Sequence, residues 1–287
     1  MSYLDRIAEC NNHDPSLYRL FWVAGQRVGW LRQPFLERLR DFPHVFVIDD
    51  EAVSLNPELD NFENRSEAFD TVLRALATDG AIAGWRGEKY PVSTGFSEPP
   101  LMQMERAATP QFGVCAYGVH INGYVRLGDT IRLWIARRAR DKPSYPGMLD
   151  NFVAGGQPIG ISLGDNVIKE LAEEADVPRG LAERAVPVGA ITYSHEMPDG
   201  EAPGGLKSDV AFTYDLELPG DFEPRNSDGE IDEFYLWSLA EAMETTRETR
   251  DFKYNCALVN IDFFIRHGAL NAEAEPDYLD IVKGLHG

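Results

Sequence analysis

The stretch Gly155-Gly-Gln-Pro-Ile-Gly-Ile-Ser-Leu-Gly-Asp-Asn-Val-Ile-Lys-Glu-Leu-Ala-Glu-Glu174 decides how this chain is read. Val167, Ile168, Leu171, Ala172 and Ala175 recur at the three- and four-residue spacing of one helix face. That spacing predicts an α-helix that is apolar beneath and carries Glu170, Glu173 and Glu174 above. Ser162 stands where it caps the first turn, with Asp165 three residues on as a weak capping-box partner. Glu170 and Glu174 form a like-charge i,i+4 pair with Glu173 beside them, and Lys169 is the local cation. Such a face calls for something positive. Hard carboxylate oxygens in a cluster suit Mg²⁺ or Mn²⁺, and Mg²⁺ leaves coordination positions for water and substrate phosphates.

Glu-x-x-Glu-Glu alone is more often a solvated Glu/Lys face, so the context matters. Gly155 and Gly156 precede the helix in a loop where backbone approaches a ligand closely, and residues 148–154 read as strand. Strand, glycine loop and acidic helix together resemble the Nudix family, whose motif runs G-x5-E-x7-R-E-U-x-E-E-x-G-U, with U a bulky aliphatic residue. Gly155 matches the first glycine, Glu170, Glu173 and Glu174 the three core glutamates, and Leu171 and Val177 the aliphatic positions. Three positions depart: Ile161 replaces the earlier glutamate, Lys169 the arginine and Asp176 the late glycine. Lys169 keeps the charge but not the planar fork of arginine. The resemblance implies that Glu170 and Glu174 bind the metal with the carbonyl of Ala154, and that Glu173 serves a second ion or a water. Gly155, Gly156 and Lys169 would line the substrate loop. Glu230, in Asp228-Gly-Glu-Ile-Asp-Glu233, matches the position where many relatives carry a glutamate that accepts the proton of the attacking water. With the core glutamates intact, catalysis is expected to be retained, slowed or specialised by the three departures.

The resemblance extends through Val119-His-Ile-Asn-Gly-Tyr124, Tyr145-Pro-Gly-Met-Leu-Asp-Asn-Phe-Val-Ala-Gly-Gly156 and Asn255-Cys-Ala-Leu-Val-Asn-Ile-Asp-Phe-Phe-Ile-Arg-His-Gly268. These stretches look like a Nudix branch with an extra N-terminal domain, fused in some fungi to thiamin pyrophosphokinase. That branch is associated with hydrolysing damaged oxo- and oxy-forms of thiamin diphosphate to the monophosphates. The expected substrate is therefore a small organic diphosphate. Nucleoside-diphosphate derivatives such as ADP-ribose or dinucleotides are the alternative, and a non-catalytic Nudix binding module ranks last.

Composition sets outer bounds. The 287 residues, 44% hydrophobic and 26% charged, suffice for one large or two moderate cores, and two domains are expected. A small N-terminal α+β domain over residues 1–112, serving substrate specificity or dimerisation, is followed by a Nudix α/β/α sandwich with a mixed sheet over residues 113–287. The net charge of −20 disfavours nucleic acid and anionic membranes as partners. It also makes a diphosphate unwelcome without a cation. Cys10, Cys115 and Cys256 are widely spaced and imply neither a disulfide framework nor a zinc site. The first residues have no signal-like apolar core, and no run of about eighteen apolar residues occurs, so a cytoplasmic location is expected. A homodimer is one oligomeric state left open.

Outward from the acidic helix, residues 20–31 read as a hairpin around Gly25-Gln26, residues 34–40 as a helix, and a further helix follows Ser66. Residues 83–92 resemble a strand pair turning at Gly87. Asn122-Gly123, flanked by Val119, Ile121, Tyr124 and Val125, is a hairpin signal. Strand-like stretches follow at 131–135, 186–194, 210–218 and 231–237, then helices at 239–250 and 256–267 with Gly268 as a stop. Residues 198–205 and 219–229 read as mobile loops. Trp22, Trp30, Trp85 and Tyr90 are more often core than stacking platforms. Arg86, Arg137 and Arg138 are alternative phosphate contacts.

Overall fold

Ser2 and Asp5 close a reciprocal capping box at the start of α1 (Tyr3–Cys10), a helix absent from the sequence expectations. The computed structural model describes residues 1–142, 144–198 and 204–286; residues 199–203, within the expected loop at 198–205, lie outside the described residues. After α1, β1 (Tyr18–Val23) and β2 (Gln26–Arg32) pair antiparallel. They turn at Ala24-Gly25, both with positive φ, one residue earlier than expected. The next elements are α2 (Gln33–Leu39), β3 (Phe46–Ile48) and β4 (Ala52–Leu55), and the small sheet runs β2-β1-β4-β3.

Asn61 caps α3 (Phe62–Thr78), so this helix starts before Ser66. The Ser66 hydroxyl lies inside it, donating to the Phe62 carbonyl at 2.7 Å. Phe21, Phe69 and Phe112 meet with centroids 4.7 to 6.0 Å apart at the centre of this N-terminal core. The expected strand pair within 83–92 is replaced by a ribbon of β5 (Lys89–Val92) and β6 (Met102–Glu105). Its cause is visible at Arg86, whose N–H donates to the Glu105 carboxylate at 2.8 Å instead of joining a ladder. The short α4 (Thr109–Phe112) then leads into the second half.

There β7 (Cys115–Leu127) is the spine. It pairs antiparallel with β8 (Thr130–Arg138) and β10 (Val153–Gly156), while β9 (Leu149–Asp150) joins β8. β12 (Leu206–Glu217) lies parallel to β7, with β11 (Val186–Glu196) outside it and β13 (Ile231–Ser238) on the other edge beside β8. Both parallel and antiparallel pairs occur, which makes the sheet mixed. The Asn122-Gly123 hairpin does not form: β7 runs straight through it and turns at Gly128. Burial overrides the turn signal, because the Asn122 amide donates to Asp215 at 3.2 Å and Gly123 lies under the Phe152 ring.

One face of the sheet packs Val119, Ile121 and Phe152 against Val167, Leu171 and Ala175 of α5 (Leu163–Ala175). After α5 comes the single turn α6 (Arg179–Ala182). The other face carries α7 (Leu239–Glu248), α8 (Tyr254–Arg266) and α9 (Tyr278–Gly284), where Leu133, Ile135 and Ile191 meet Leu258, Ile261 and Phe264. Tyr3, Ile7 and Cys10 of α1 belong to this same core, although the division at residue 112 leaves α1 on the N-terminal side. The chain is α+β: a small α+β unit followed by an α/β/α sandwich on a mixed sheet.

A Cβ added at Gly123 meets Phe152 Cδ1 at 2.3 Å. Gly123→Ala is therefore expected to lower unfolding free energy by about 1–3 kcal/mol through overpacking. Chemical denaturation measures it, and a midpoint equal to wild type would contradict this packing.

Candidate functional site: an acidic helix under a glycine loop

Helix α5 begins as its sequence dictates, with the Ser162 hydroxyl accepting from the Asp165 N–H at 3.1 Å. It ends at Asp176, which adopts a left-handed φ of 52° while its N–H reaches the Leu171 carbonyl. This is the position where the Nudix motif has glycine, and aspartate is among the few other residues that tolerate that backbone. The departure therefore preserves the helix stop.

The acidic face does not point uniformly to solvent. Glu173 is half-exposed, whereas Glu170 is 12% exposed and Glu174 is 7% exposed. Lys169 spans Glu170 and Glu173, donating at 3.0 and 2.8 Å, so its lone ammonium replaces the missing arginine fork by bridging. Glu174 turns under β10, where its Oε2 accepts from the Ala154 N–H at 3.1 Å. Burial raises the Glu174 carboxyl well above the usual range, and the neighbouring charges of Asp150, Glu170 and, more weakly, Glu230 add to the rise. Burial likewise raises Glu170, with Lys169 opposing.

Gly155 and Gly156, expected in a loop, are the last residues of β10, so the glycine loop is a strand end opening into a loop, and it admits these carboxylates. A Cβ on Gly155 would lie 2.2 Å from the Glu170 carboxyl carbon. Gln157 and Asn166 fix the loop: the Gln157 N–H donates to Tyr117 at 2.9 Å, and the Asn166 amide donates to the Gly156 carbonyl at 2.8 Å and to Gln157 at 3.0 Å. Neither residue stood out in the sequence, where both read as polar loop or helix positions. At Gly156 the other half of the molecule intervenes, since an added Cβ would sit 1.6 Å from the Tyr90 hydroxyl and 3.1 Å from the Arg106 guanidinium carbon. Tyr90 is on β5 and Arg106 immediately follows β6. Arg106 packs over the Tyr90 ring at 5.6 Å and pairs with Glu88 at 2.9 Å. The N-terminal ribbon thus touches the glycine loop, a contact for which only Tyr90 gave a sequence signal.

Glu230 immediately precedes β13 and is ion-paired with Lys142. Against the effect of burial, Lys142, Arg138 and Arg86 hold its carboxyl below the usual value. The preceding loop is not free: the Arg225 N–H donates to the Ala175 carbonyl at 3.2 Å and the Ser227 hydroxyl to the Ala172 carbonyl at 3.1 Å, tying it to the end of α5. Arg137 and Arg138 are committed to structure. Arg137 donates to Tyr235 and to the Gly147 carbonyl, both at 2.9 Å, and Arg138 pairs with Asp150 at 2.8 Å. Trp85 lies beneath Arg74 and Lys89, and Trp22 lines a 460 Å³ cavity of the N-terminal half with Asn56, Asp60 and Arg65.

Below the sheet, ligand-type atoms of His120, Asp150 and Cys256 come within 4.8 Å of one another, all buried. Each has a protein partner. Asp150 accepts from Arg138, from the Asn151 N–H at 2.9 Å and from Cys256 at 2.7 Å, and His120 Nδ1 meets Asn151 at 2.8 Å. Burial opposes ionisation of Asp150, but Lys253 and Arg138 hold it at about 2. The trio is a satisfied polar core under Glu174, and Asp150, silent in the sequence, is its link to the acidic helix.

Because the folded pKa of Glu174 is raised, metal-free wild type loses stability as pH rises through that pKa, and the loss is absent below the unfolded carboxylate range near about 4.3. Glu174→Gln is therefore expected to stabilise the metal-free protein at pH 7.5 by about 1 kcal/mol, with the gain vanishing near pH 4. Thermal unfolding in chelator across pH measures this; a less stable variant at pH 7.5 would refute the buried like-charge account.

Comparison with known proteins places this geometry in a family. Residues 2–116 match a family model described as a domain of unknown function, DUF4743. The chain is 42% identical over 294 positions to Nudix hydrolase 20, chloroplastic, of Arabidopsis thaliana, covering 99% of this chain and 77% of that one. It is 41% identical over 287 positions to Nudix hydrolase 24, chloroplastic, of the same plant, with the same coverage. A MutT protein from Methanosarcina mazei, solved by crystallography, superposes with a TM-score of 0.38 at 18% identity, over 54% of this chain and 94% of that one. Identity on this scale over almost the whole chain, with the glycine loop and core glutamates in place, makes the protein a member of the Nudix family and a hydrolase of diphosphate linkages.

Proposed function

We propose that the diphosphate cleaved is an oxidised, oxo or oxy, form of thiamin diphosphate, giving the corresponding monophosphate and inorganic phosphate. The observation that carries the diphosphate chemistry is the cradle in which Gly155 lets Glu170 lie against backbone while Glu174 is buried beneath Ala154. Buried like-charged oxygens with few hydrogen-bond donors fit a hard divalent cation. Glu170, Glu174 and the Ala154 carbonyl are the proposed ligands of Mg²⁺ or Mn²⁺, and Glu173 is the proposed holder of a second ion or a water. When bound, the cation neutralises diphosphate oxygens and acidifies water. Support for the thiamin-like substrate comes from the branch-like stretches at 119–124, 145–156 and 255–268.

In the proposed reaction, a water oxygen forms the new bond to phosphorus as the bridging phosphorus–oxygen bond breaks, and the bridging oxygen leaves with the other phosphate. Glu230 is the proposed acceptor of the water proton. Its pairing with Lys142 keeps it ionised and ready to accept. Lys169 steers Glu170 and Glu173 by holding one oxygen of each.

Two measurements test the reading. Glu174→Gln should lower Mg²⁺-supported turnover by about 10²–10³-fold, the scale of losing a group that stabilises charge in the transition state, and full activity in that variant would remove Glu174 from the site. A substrate panel with Mg²⁺ or Mn²⁺ should give the highest kcat/KM for oxidised thiamin diphosphates. A higher value for ADP-ribose or a dinucleotide would transfer the reading to nucleoside-diphosphate derivatives.

A further inference from the structure

In a chain of net charge −20, Lys207 and Lys253 are conspicuous because neither ammonium makes a hydrogen bond or ion pair among the described residues. They come from separate elements, β12 and the residue preceding α8, yet both lie over the ring of Tyr145, at 5.6 and 5.7 Å from its centroid. Tyr145 is held in a left-handed φ of 52°, which a bulky side chain adopts only where its surroundings impose it. Its ring edge is fixed by Tyr254 at 5.5 Å. On the same strand, Asp209 favours the charge of Lys207, while its carboxylate also accepts from the Tyr193 hydroxyl at 2.9 Å.

Burial opposes the charge of Lys207, and with Lys253, Arg106 and Arg138 it outweighs Asp209, bringing the ammonium down to about 8. Burial is the larger cause, and the neighbouring cations add to it. The cluster is tied by backbone to the strands that carry the glycine loop. The Lys253 N–H donates to the Leu149 carbonyl at 2.9 Å, on the strand just before β10, and β12 enters the sheet beside Cys115 of β7, three residues before Gly118, which pairs with Gly156. Acidic oxygens on α5, with ammoniums that make no ion pair among the described residues, match the two needs of a diphosphate: a cation bridged by carboxylates, and direct donors for oxygens the cation leaves free.

We propose that Lys207 and Lys253, seated on Tyr145, form an oxyanion subsite that binds phosphate oxygens of the organic diphosphate, with Arg106 contributed by the N-terminal half. The inference rests on the diphosphate reading of the acidic helix. It assigns the N-terminal half a part in the site itself and makes the ring of Tyr145 the platform that spaces the two ammoniums.

The test uses the full chain and inorganic pyrophosphate as the probe, titrated calorimetrically in chelator so that the acidic helix holds no divalent ion. Lys207→Gln and Lys253→Gln are each expected to weaken pyrophosphate binding by about tenfold, the loss of one charge-assisted contact. Lys207→Arg and Lys253→Arg should stay within about threefold of wild type on the same scale. Mn²⁺ binding without pyrophosphate, followed by paramagnetic resonance, should be alike in all four variants. Equal pyrophosphate affinity in the Gln and Arg variants overturns the subsite, and so does absence of pyrophosphate binding by wild type. Failure of the thiamin reading shows elsewhere, as a lack of turnover of oxidised thiamin diphosphates, and leaves the Gln-to-Arg difference in place.

Discussion

Burying two carboxylates of one helix against the backbone of a neighbouring strand is the constraint on which the rest of this structure depends. A charge taken out of water without a partner costs several kcal/mol, so the surroundings of Glu170 and Glu174 must be arranged for them. The Ala154 N–H reaches Glu174, Lys169 reaches Glu170, and Gly155 gives up its side chain so that a carboxyl can occupy the space. The rest of the loop follows from this, with Asn166 and Gln157 holding the glycines where the helix needs them. Even the loop leading to Glu230 is tied to the end of α5. Stability is given up locally at the carboxylates proposed to hold the cation.

The two faces of the sheet divide the work. Above, α5 carries the acidic oxygens; below, His120, Asp150, Asn151 and Cys256 form a saturated polar core that meets Arg138 and α8. Asp150 connects the faces electrically, since its ionised carboxyl adds to the pressure on Glu174. A satisfied network of this kind rigidifies what lies over it. That explains why so many polar groups are buried beneath a site whose own members are spread along one helix.

Much of this was legible in the sequence, and the exceptions have a common cause. The acidic helix, its Ser162 cap, the glycine loop and most strands of the second half follow from periodicity and turn chemistry, which are local. What failed was non-local. Asn122-Gly123 has the composition of a turn, but Asp215 and Phe152, distant in sequence, hold it inside a strand. The ribbon at β5 and β6 escaped because Glu105, not a neighbour of Arg86, takes its N–H. At the site, the glutamates stood out by spacing, whereas Asp150, Asn166 and Arg106 have no motif around them. Their importance comes from what tertiary packing brings near.

The contact between Tyr90 and Gly156 carries a consequence for how this sequence tolerates change. Gly156 has no positive φ to defend; what forbids a side chain there is foremost the phenol oxygen 1.6 Å from where a Cβ would be, with the Arg106 guanidinium behind it. The acceptability of residue 156 is therefore set in large part by residue 90, on another sheet. Alanine at 156 should be poorly borne beside tyrosine and better borne beside a smaller residue, so the two substitutions are epistatic and their effects do not add. A change at residue 90 in the N-terminal half is thereby felt in the glycine loop through one atom-scale contact.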